Sequence, residues 1–324
     1  MGSYVVTGGA GFIGSHIAAT LASRGDQVVV LDNLSTGKSA NLEAIDPAVE
    51  FRNVDLADAD LIAHLKGVDT VFHQAAIPSV PRSVKDPEGT HQANVDGTLN
   101  LLVAARDAGV RRVVYASSSS VFGDSPELPK HEGMMASPLS PYGAQKYFSE
   151  VYAQVFWRTY GLETVALRYF NVFGPRQDAS SPYSGVLARF IPAVLRDARP
   201  VIYGDGHQSR DFTFIQNVVE ANLKAADAEN VAGEVFNVAC GDRITVNEVL
   251  DEIKSLTGST VEPIYEARRP GDILHSQADP SKAMKLLGWS PSVSFREGLE
   301  KTIEWYREDL AASVANAPAG PNFS

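Results

Sequence analysis

Short runs of β-branched and aromatic residues alternate with longer segments of helical spacing through the first two thirds of the chain. The first run, 4–6, is followed by glycines and then by apolar residues at helical spacing, Ile13, Ile17 and Leu21. The same alternation predicts strands at 27–31, 50–54, 70–73, 113–116, 164–169 and 234–238, and helices near 57–66, 91–108, 142–160 and 215–228. Such apolar runs, joined by helices, predict an α/β fold with a doubly wound parallel sheet of the Rossmann type.

The alternation loosens after about residue 170, where loops containing Gly and Pro separate shorter helical pieces. We therefore predict a Rossmann domain over 1–172, to which about 210–239 also belongs, because its helix and strand continue the sheet pattern. A smaller, interleaved α/β substrate domain is predicted over 173–209 and 240–312. Residues 313–324 are mostly small and include two prolines, so this tail is expected to be disordered.

Composition and charge exclude several classes of protein. The 324 residues are 44% hydrophobic, enough for one large or two modest domains, but apolar runs such as 28–31 are far shorter than the ~20 residues that span a membrane. We expect a soluble, cytoplasmic protein, because no signal peptide fits before the first strand and the single cysteine, Cys240, cannot form an internal disulfide. The net charge of −11 argues against nucleic acid or anionic membranes as partners, and no metal-ligand spacing is found.

Three glycines mark a candidate dinucleotide site at the first strand-to-helix turn. Gly8, Gly11 and Gly14 let the backbone approach a pyrophosphate, whose charge would lie at the helix N-terminus. Asp32 closes the second strand, where a carboxylate can bind both ribose hydroxyls and would repel a 2′-phosphate, which favours NAD over NADP. Asp55 follows the third strand and could meet the adenine amino group. The alternatives are a turn that merely needs glycine, and turn or loop roles for the two aspartates.

The catalytic candidates lie where the fifth predicted strand precedes a long helix. Ser140 and Pro141 are typical of a helix start, and Tyr142 and Lys146 follow at i, i+4 on one face. The strand ends in four serines, 117–120, so hydroxyls and the phenol are expected to converge at the carboxyl edge of the sheet. The ammonium, the helix N-terminus and a cationic nicotinamide predict a lowered pKa for Tyr142, which could then take a proton from an alcohol as hydride leaves its carbon. Alternatively, the tyrosine packs and the lysine is solvated.

With these motifs in place, the chain resembles the extended short-chain dehydrogenase/reductase family, and within it the nucleotide-sugar 4-epimerases, over nearly its whole length. The matching segments are 7–14, 31–33, 73–76, 94–98, 142–146, 168–175 and 269–272. The resemblance implies NAD as cofactor, bound by Gly8, Gly11, Phe12, Ile13, Gly14, Asp32, Asn33, Asp55, Leu56, Asn94, Tyr142, Lys146 and Tyr169. It also implies that Lys146 binds the nicotinamide ribose and that Ser118 is the catalytic serine beside Tyr142.

Relatives that dehydrate the sugar carry Thr-Asp-Glu where this chain has three serines, 118–120. Dehydration needs an acid and a base, and serine is too weak at either task. We therefore expect no dehydratase activity. Two alternatives remain open: a net redox or decarboxylating nucleotide-sugar enzyme, and a non-catalytic NAD-binding module.

The resemblance also implies a UDP-sugar site in the second domain. Its predicted residues are Ser79, Ser118, Ser119, Ser120, Asn171, Val186, Tyr203, Arg210, Arg269, Asp272 and Ser276. Guanidinium groups suit bidentate contact with phosphate, although each arginine could instead form a surface ion pair. Ser276 stands where a large tyrosine limits some relatives to plain hexoses, so room for a 2-acetamido group is expected. We predict interconversion of UDP-GlcNAc and UDP-GalNAc, with UDP-glucose and UDP-galactose as a weaker pair.

The predicted helices 142–160 and 91–108 both carry more apolar surface than one sheet face can absorb. By resemblance, they pair across a two-fold axis into a four-helix bundle, which predicts a homodimer. The alternative is that both stripes belong to the core.

Overall fold

The computed structural model describes residues 1–43, 45, 49–178, 185–268 and 273–315, with the backbone alone for 313–315. The strands are β1 Ser3–Thr7, β2 Gln27–Asp32, β3 Glu50–Asn53, β4 Thr70–His73, β5 Arg112–Ser118, β6 Glu163–Tyr169, β7 Val172–Phe173, β8 Val201–Tyr203, β9 Ser209–Arg210, β10 Thr213–Phe214, β11 Glu234–Val238, β12 Ile244–Thr245 and β13 Ile264–Glu266. The helices are α1 Phe12–Ser23, α2 Ala40–Glu43, α3 Ile62–Leu65, α4 Val80–Lys85, α5 Pro87–His91, α6 Gly97–Ala108, α7 Pro141–Tyr160, α8 Val186–Leu195, α9 Ile215–Asp227, α10 Val246–Thr257, α11 Ser281–Leu286 and α12 Phe295–Ala315. A π-helical turn covers Gln92–Asp96 and a 3-10 turn covers Ser119–Phe122.

Seven parallel strands of the described chain form one sheet, in the order β11-β6-β5-β4-β1-β2-β3. The predicted doubly wound, Rossmann-type sheet is confirmed. The chain runs outward from β1 through β2 to β3, and then resumes on the other side at β4. This reversal opens a crevice at the carboxyl ends of β1 and β4, where ligands bind in sheets of this kind.

Both faces of the sheet are buried, which explains the continuous apolar runs in the sequence. Successive residues of a strand point to opposite faces. Val5 and Val6 are both fully buried, yet Val6 packs in a cluster with Ile17 of α1, and Val5 packs in another with Leu101 of α6. A strand with two apolar faces and a helix on each side is thereby fixed in the centre of the molecule.

The remaining strands pair in twos outside the large sheet: β10 with β7, β12 with β9, and β13 with β8. Helices α8 and α10 pack against each other in this region. These elements follow residue 171 and alternate in sequence with α9 and β11. Strand β11 belongs to the large sheet, and α9 packs against that sheet. The assignment of two interleaved domains with the stated boundaries stays a prediction.

Three local predictions need correction. The helix predicted over 57–66 is reduced to α3, because the carboxylates of Asp55 and Asp60 accept the backbone amides of Ala57 and Ile62 and form turns instead. The helix predicted over 91–108 is interrupted by the π-helical turn. The tail predicted to be disordered from 313 begins inside α12, whose last residues are 313–315, and residues 316–324 lie outside the described residues.

None of the helices within the described ranges combines the length and the apolar character that crossing a membrane requires. Within the same residues, no three His, Cys, Asp or Glu side chains are grouped so that they could hold a metal ion.

Candidate active site

The turn from β1 into α1 is packed too tightly to admit a side chain at Gly8 or Gly14. A Cβ on Gly14 would lie 2.2 Å from the carbonyl oxygen of Gly8, and Gly8 itself has φ +66° and faces the backbone of Ala75. The N-terminus of α1 carries no side-chain cap and no acidic residue in its first turn. Because its first amides have no capping side chain and the helix dipole is positive there, this end fits a pyrophosphate.

Asp32 lies at the end of β2, and its carboxylate is hydrogen-bonded to the glycine turn. One carboxylate oxygen accepts the amide of Ala10 at 3.0 Å, and the other accepts the amide of Leu34 at 2.7 Å. Burial raises the pKa of Asp32, whereas these two hydrogen bonds favour the carboxylate. Each oxygen retains further acceptor capacity, which suits the hydroxyls of a ribose.

Asn33 and Asp55 flank this position at the ends of β2 and β3. Their exposed side chains are joined by a hydrogen bond of 2.8 Å from the amide of Asn33, and Leu56 is buried beside them. The predicted residues for the adenosine half of a dinucleotide are thus grouped on one side of the glycine turn, and they fit that group.

The catalytic candidates converge at the carboxyl end of β5. Ser140 caps α7 by accepting the amide of Gly143 at 3.1 Å, and this fixes the first turn, which carries Tyr142. The Ser118 hydroxyl lies close enough to the Tyr142 phenol to lower the pKa of that phenol. One turn further along α7, the buried ammonium of Lys146 donates to the carbonyl of Ala116 at 2.8 Å.

Three consecutive serines, 118–120, lie at the carboxyl end of β5. The hydroxyl oxygen of Ser118 accepts both the amide and the hydroxyl of Ser120, at 3.2 and 2.9 Å. The Ser118 hydroxyl proton thus remains available for another acceptor. Ser119 begins the 3-10 turn, and Tyr169 is the strand partner of Ser118 on β6.

The expected lowering of the Tyr142 pKa includes the effect of a bound nicotinamide and stays a prediction, whereas the protein residues themselves shift this pKa upward. Burial raises the pKa of Tyr142 to about 12, and the Ser118 hydroxyl opposes this only in part. Burial also lowers the pKa of Lys146 to about 7. The reason for both is desolvation, which disfavours the charged form of each group.

The buried lysine has a consequence for stability. The unfolded chain holds the Lys146 proton up to its ordinary pKa of 10.5, whereas the folded protein releases it above about 7. The unfolded state therefore binds more protons in this window, and stability from this group rises with pH there. Relative to Lys146→Met, the free energy of unfolding of the wild type should rise by up to about 1.4 kcal/mol per pH unit. Denaturant titrations of both proteins at several pH values measure this slope, and parallel stability curves would contradict it.

A chain of buried hydrogen bonds connects β1 with the catalytic helix. Thr7 contacts His73 at 2.7 Å, His73 contacts Thr98 at 2.9 Å, and Thr98 donates to the carbonyl of Asn94 at 2.6 Å. Asn94 lies in the π-helical turn, and its side-chain amide donates to the side-chain oxygen of Gln145 on α7 at 2.9 Å. Burial lowers the pKa of His73 to about 3, so the ring stays neutral. Asn94, predicted at the cofactor, is thus held rigidly beside α7.

Four of the predicted substrate residues surround a cavity of about 240 Å³: Asn171, Val186, Tyr203 and Arg210. The Asn171 amide donates to the carbonyl of Asp211 at 2.9 Å, and the Arg210 guanidinium donates to the carbonyl of Leu274 at 3.2 Å. Val186 is the first residue of α8. These elements bring a cation, an amide and an aromatic ring together around a space suited to a nucleotide.

The other predicted substrate residues lie elsewhere or cannot be placed. Ser79 caps α4 by accepting the amide of Arg82, and it does not line the cavity. Ser276 donates its amide to the carbonyl of Ser209, next to Arg210, and also lies outside the lining. Arg269 and Asp272 lie outside the described residues.

Sequence reasoning missed Arg189, which lines the same cavity. Its guanidinium lies 5.6 Å from the centre of the Tyr203 ring, in a cation–π arrangement. Arg189 is the single charged residue in the otherwise apolar sequence of α8. A lone charge on an apolar helix is a signal that could have identified it.

Known proteins resemble this chain over most of its length. A profile of the NAD dependent epimerase/dehydratase family matches residues 4–239. A putative UDP-glucose 4-epimerase of Methanocaldococcus jannaschii is 41% identical over 308 residues, which are 94% of this chain and 98% of that protein.

Two solved structures extend the comparison to the fold. The UDP-N-acetylglucosamine 4-epimerase from Methanobrevibacter ruminantium M1, in complex with UDP-N-acetylmuramic acid, is 43% identical and superposes with a TM-score of 0.92 over 95% of this chain and 99% of that one. The UDP-glucose 4-epimerase of Thermus thermophilus, in complex with NAD, is 39% identical, with a TM-score of 0.86 over 94% and 99% of the two chains. On the strength of the profile match and these identities, the chain belongs to the NAD dependent epimerase/dehydratase family, and its cofactor is NAD.

Proposed function

We propose that this protein is a UDP-sugar 4-epimerase that interconverts UDP-GlcNAc and UDP-GalNAc and, less efficiently, UDP-glucose and UDP-galactose. The observation that carries the proposal is the convergence of Ser118, Tyr142 and Lys146 at the carboxyl end of β5, at the edge that also carries the glycine turn. The names of the two solved relatives, one acting on an acetamido sugar and one on a plain hexose, support the same class of substrate.

The cofactor fits residues that the fold already holds in place. The amides of the first turn of α1 would bind its pyrophosphate, Asp32 its adenosine ribose, and Lys146 its nicotinamide ribose. When bound, NAD supplies an acceptor for the hydride of C4 and a donor that returns it. Its positive nicotinamide would favour the phenolate of Tyr142, as would Lys146 in its protonated form, whereas burial alone disfavours the phenolate.

Tyr142 moves the proton in this mechanism. As phenolate it takes the proton of the sugar 4-hydroxyl while the C4 hydride departs, and a 4-keto sugar results. Ser118 donates to the phenol oxygen or to the 4-oxygen, since its own acceptor sites are used by Ser120. In the return step the phenol gives the proton back to the 4-oxygen as C4 regains its hydride.

Inversion requires the keto sugar to present its other face. Asn171 and Arg210 hold the diphosphate at the cavity while the sugar turns about its link to the phosphate. Arg189, beside Tyr203, adds positive charge to the same wall. Local cations thus attract a diphosphate to a protein whose net charge is −11.

Ser276 supports the preference for an acetamido sugar. Its small, half-buried side chain stands next to the segment that carries Arg210, because its amide donates to Ser209 at 3.0 Å. Ser276→Tyr should lower kcat/KM for UDP-GlcNAc by about 30-fold, because the ring fills the space for the acetamido group, and should leave UDP-glucose turnover nearly unchanged. Steady-state assays with both sugars measure this, with Ser276→Ala as the size-reducing control. Full acetamido activity in Ser276→Tyr would contradict the assigned preference, as would a higher wild-type kcat/KM for UDP-glucose.

A decarboxylating or net redox enzyme is the second candidate within this family. It would release CO₂ or leave NADH behind, whereas the proposed epimerase regenerates NAD in every cycle. Product analysis therefore separates the two. A non-catalytic NAD-binding module is disfavoured because Ser118, Tyr142 and Lys146 are all present and grouped.

We also propose that the chain forms a homodimer through α7 and α6. The α7 surface exposes an apolar stripe in which Phe148, Val151 and Val155 are 49%, 38% and 42% accessible. Phe148→Glu should convert the dimer to a monomer, whereas Ser255→Glu, at an exposed position of α10, should not. Sedimentation velocity of the wild type and both variants measures this, and a monomeric wild type would refute the dimer.

A further inference from the structure

A buried ion pair lies directly behind the catalytic residues. The guanidinium of Arg168 donates to both carboxylate oxygens of Glu150, at 2.6 and 3.0 Å. The two residues are 4% and 2% exposed. Glu150 follows Lys146 by one turn of α7, and Arg168 precedes Tyr169 at the end of β6.

The pair contacts the chain on both sides of Ser118. The hydroxyl of Ser117 donates to Glu150 at 2.8 Å, and the Arg168 guanidinium lies 4.6 Å from the ring centre of Phe122. Phe122 ends the 3-10 turn that follows Ser118. One ion pair thus joins β5, β6 and α7 and holds the serine segment at both of its ends.

Stability alone does not account for this arrangement. Removing two charges from water is expensive, and apolar residues of similar volume often replace such a pair without loss. Within the described residues, one terminal nitrogen of Arg168 is also buried with no hydrogen-bond partner. The bidentate geometry does fix directions, because a guanidinium and a carboxylate lock each other in one plane.

We propose that Glu150 and Arg168 are positioning residues for the reaction: they hold Ser118 and Lys146 at the distances that proton transfer with Tyr142 requires. This role rests on the proposed function. Neither side chain needs to touch substrate, because the effect passes through Ser117, through Phe122 and along one turn of α7.

The same two strands carry a second, less buried ion pair at their opposite ends. Arg112 begins β5, Glu163 begins β6, and their side chains meet at 2.7 Å. They are Cα partners in the sheet, as Ser117 and Arg168 are. The second pair lies at the amino edge, far along the strands from Ser118, so it serves as a control for the loss of an ion pair between the same elements.

The test compares kcat, KM and stability in three variants. In Glu150→Leu/Arg168→Met, which removes both charges, kcat should fall about 10- to 100-fold while KM for the UDP-sugar and the affinity for UDP stay near wild type. Ser117→Ala, which leaves the ion pair intact, should lose a smaller part of kcat, about 3- to 10-fold. Glu163→Gln should lower the melting temperature without changing kcat. The pH profile of kcat should shift in the double variant alone.

The possible results separate the positioning role from a purely structural one. A double variant that folds cooperatively and keeps wild-type kcat overturns the positioning role, since a merely structural pair would be replaced without loss. If the double variant does not fold, wild-type kcat in Ser117→Ala overturns it. If the wild-type chain converts neither pair of UDP-sugars, the proposed function fails instead, and the two failures are therefore distinguishable.

Discussion

Replacing Tyr142 with phenylalanine is expected to lower kcat by about 1,000-fold. The substitution removes the one group placed to exchange a proton with the sugar 4-oxygen, and it leaves the ring that packs at the start of α7. NAD content and UDP affinity should stay near wild type, because Asp32, the glycine turn and the cavity around Arg210 are untouched. Steady-state turnover, extraction of the bound cofactor and calorimetric titration with UDP measure the three quantities.

Tyr147→Phe is the matched control for this experiment. Tyr147 is an exposed tyrosine of the same helix, 38% accessible, and the loss of its hydroxyl should not affect kcat. Normal turnover in Tyr142→Phe would refute the assignment of Tyr142 as the proton-transfer group. A large loss in both variants would point to damage of the helix rather than of the chemistry.

Gly14→Ala is expected to abolish NAD binding and, with it, activity. The new Cβ would lie 2.2 Å from the Gly8 carbonyl oxygen, which is backbone and cannot swing aside. The glycine turn must therefore open, and the first amides of α1 lose their approach to the pyrophosphate. We expect the NAD content of the purified protein to fall by about tenfold or more, measured after extraction of the cofactor.

Gly25→Ala separates this effect from simple loss of stability. Gly25 ends the same helix with φ +79° and has open space around its Cβ position. Alanine there is strained by about 1–2 kcal/mol but does not touch the cofactor site. NAD content should thus remain normal in Gly25→Ala. Wild-type NAD affinity in Gly14→Ala would contradict the assigned role of the turn.

The sequence predicted the parallel sheet well because its strands are buried on both faces, which produces apolar runs such as 28–31 that are easy to recognise. It overestimated α3, because hydrophobic spacing does not show that Asp55 and Asp60 take backbone amides for themselves. The hydrophobic spacing also does not show the π-helical turn that contains Asn94, whose side chain is hydrogen-bonded to the distant residues Ile77 and Gln145.

Site residues that lie close together in the sequence could be predicted, whereas residues that meet only through tertiary packing could not. Tyr142 and Lys146 lie four residues apart, whereas Glu150 and Arg168 are brought together only by the packing of α7 on β6. The pKa direction of Tyr142 was predicted from nearby charges alone. Desolvation, which opposes that direction, depends on burial and has no signature in the local sequence.

In the proposed reaction, C4 of a UDP-sugar is inverted by removal and return of its own hydride. Incubation of the protein with UDP-GlcNAc deuterated at C4, followed by NMR of the products, follows that hydride through the reaction. We expect UDP-GalNAc that still carries deuterium at C4, with no NADH or CO₂ released. Absence of the C4 epimer, or an epimer that has exchanged its C4 deuterium for solvent hydrogen, would contradict the proposed reaction.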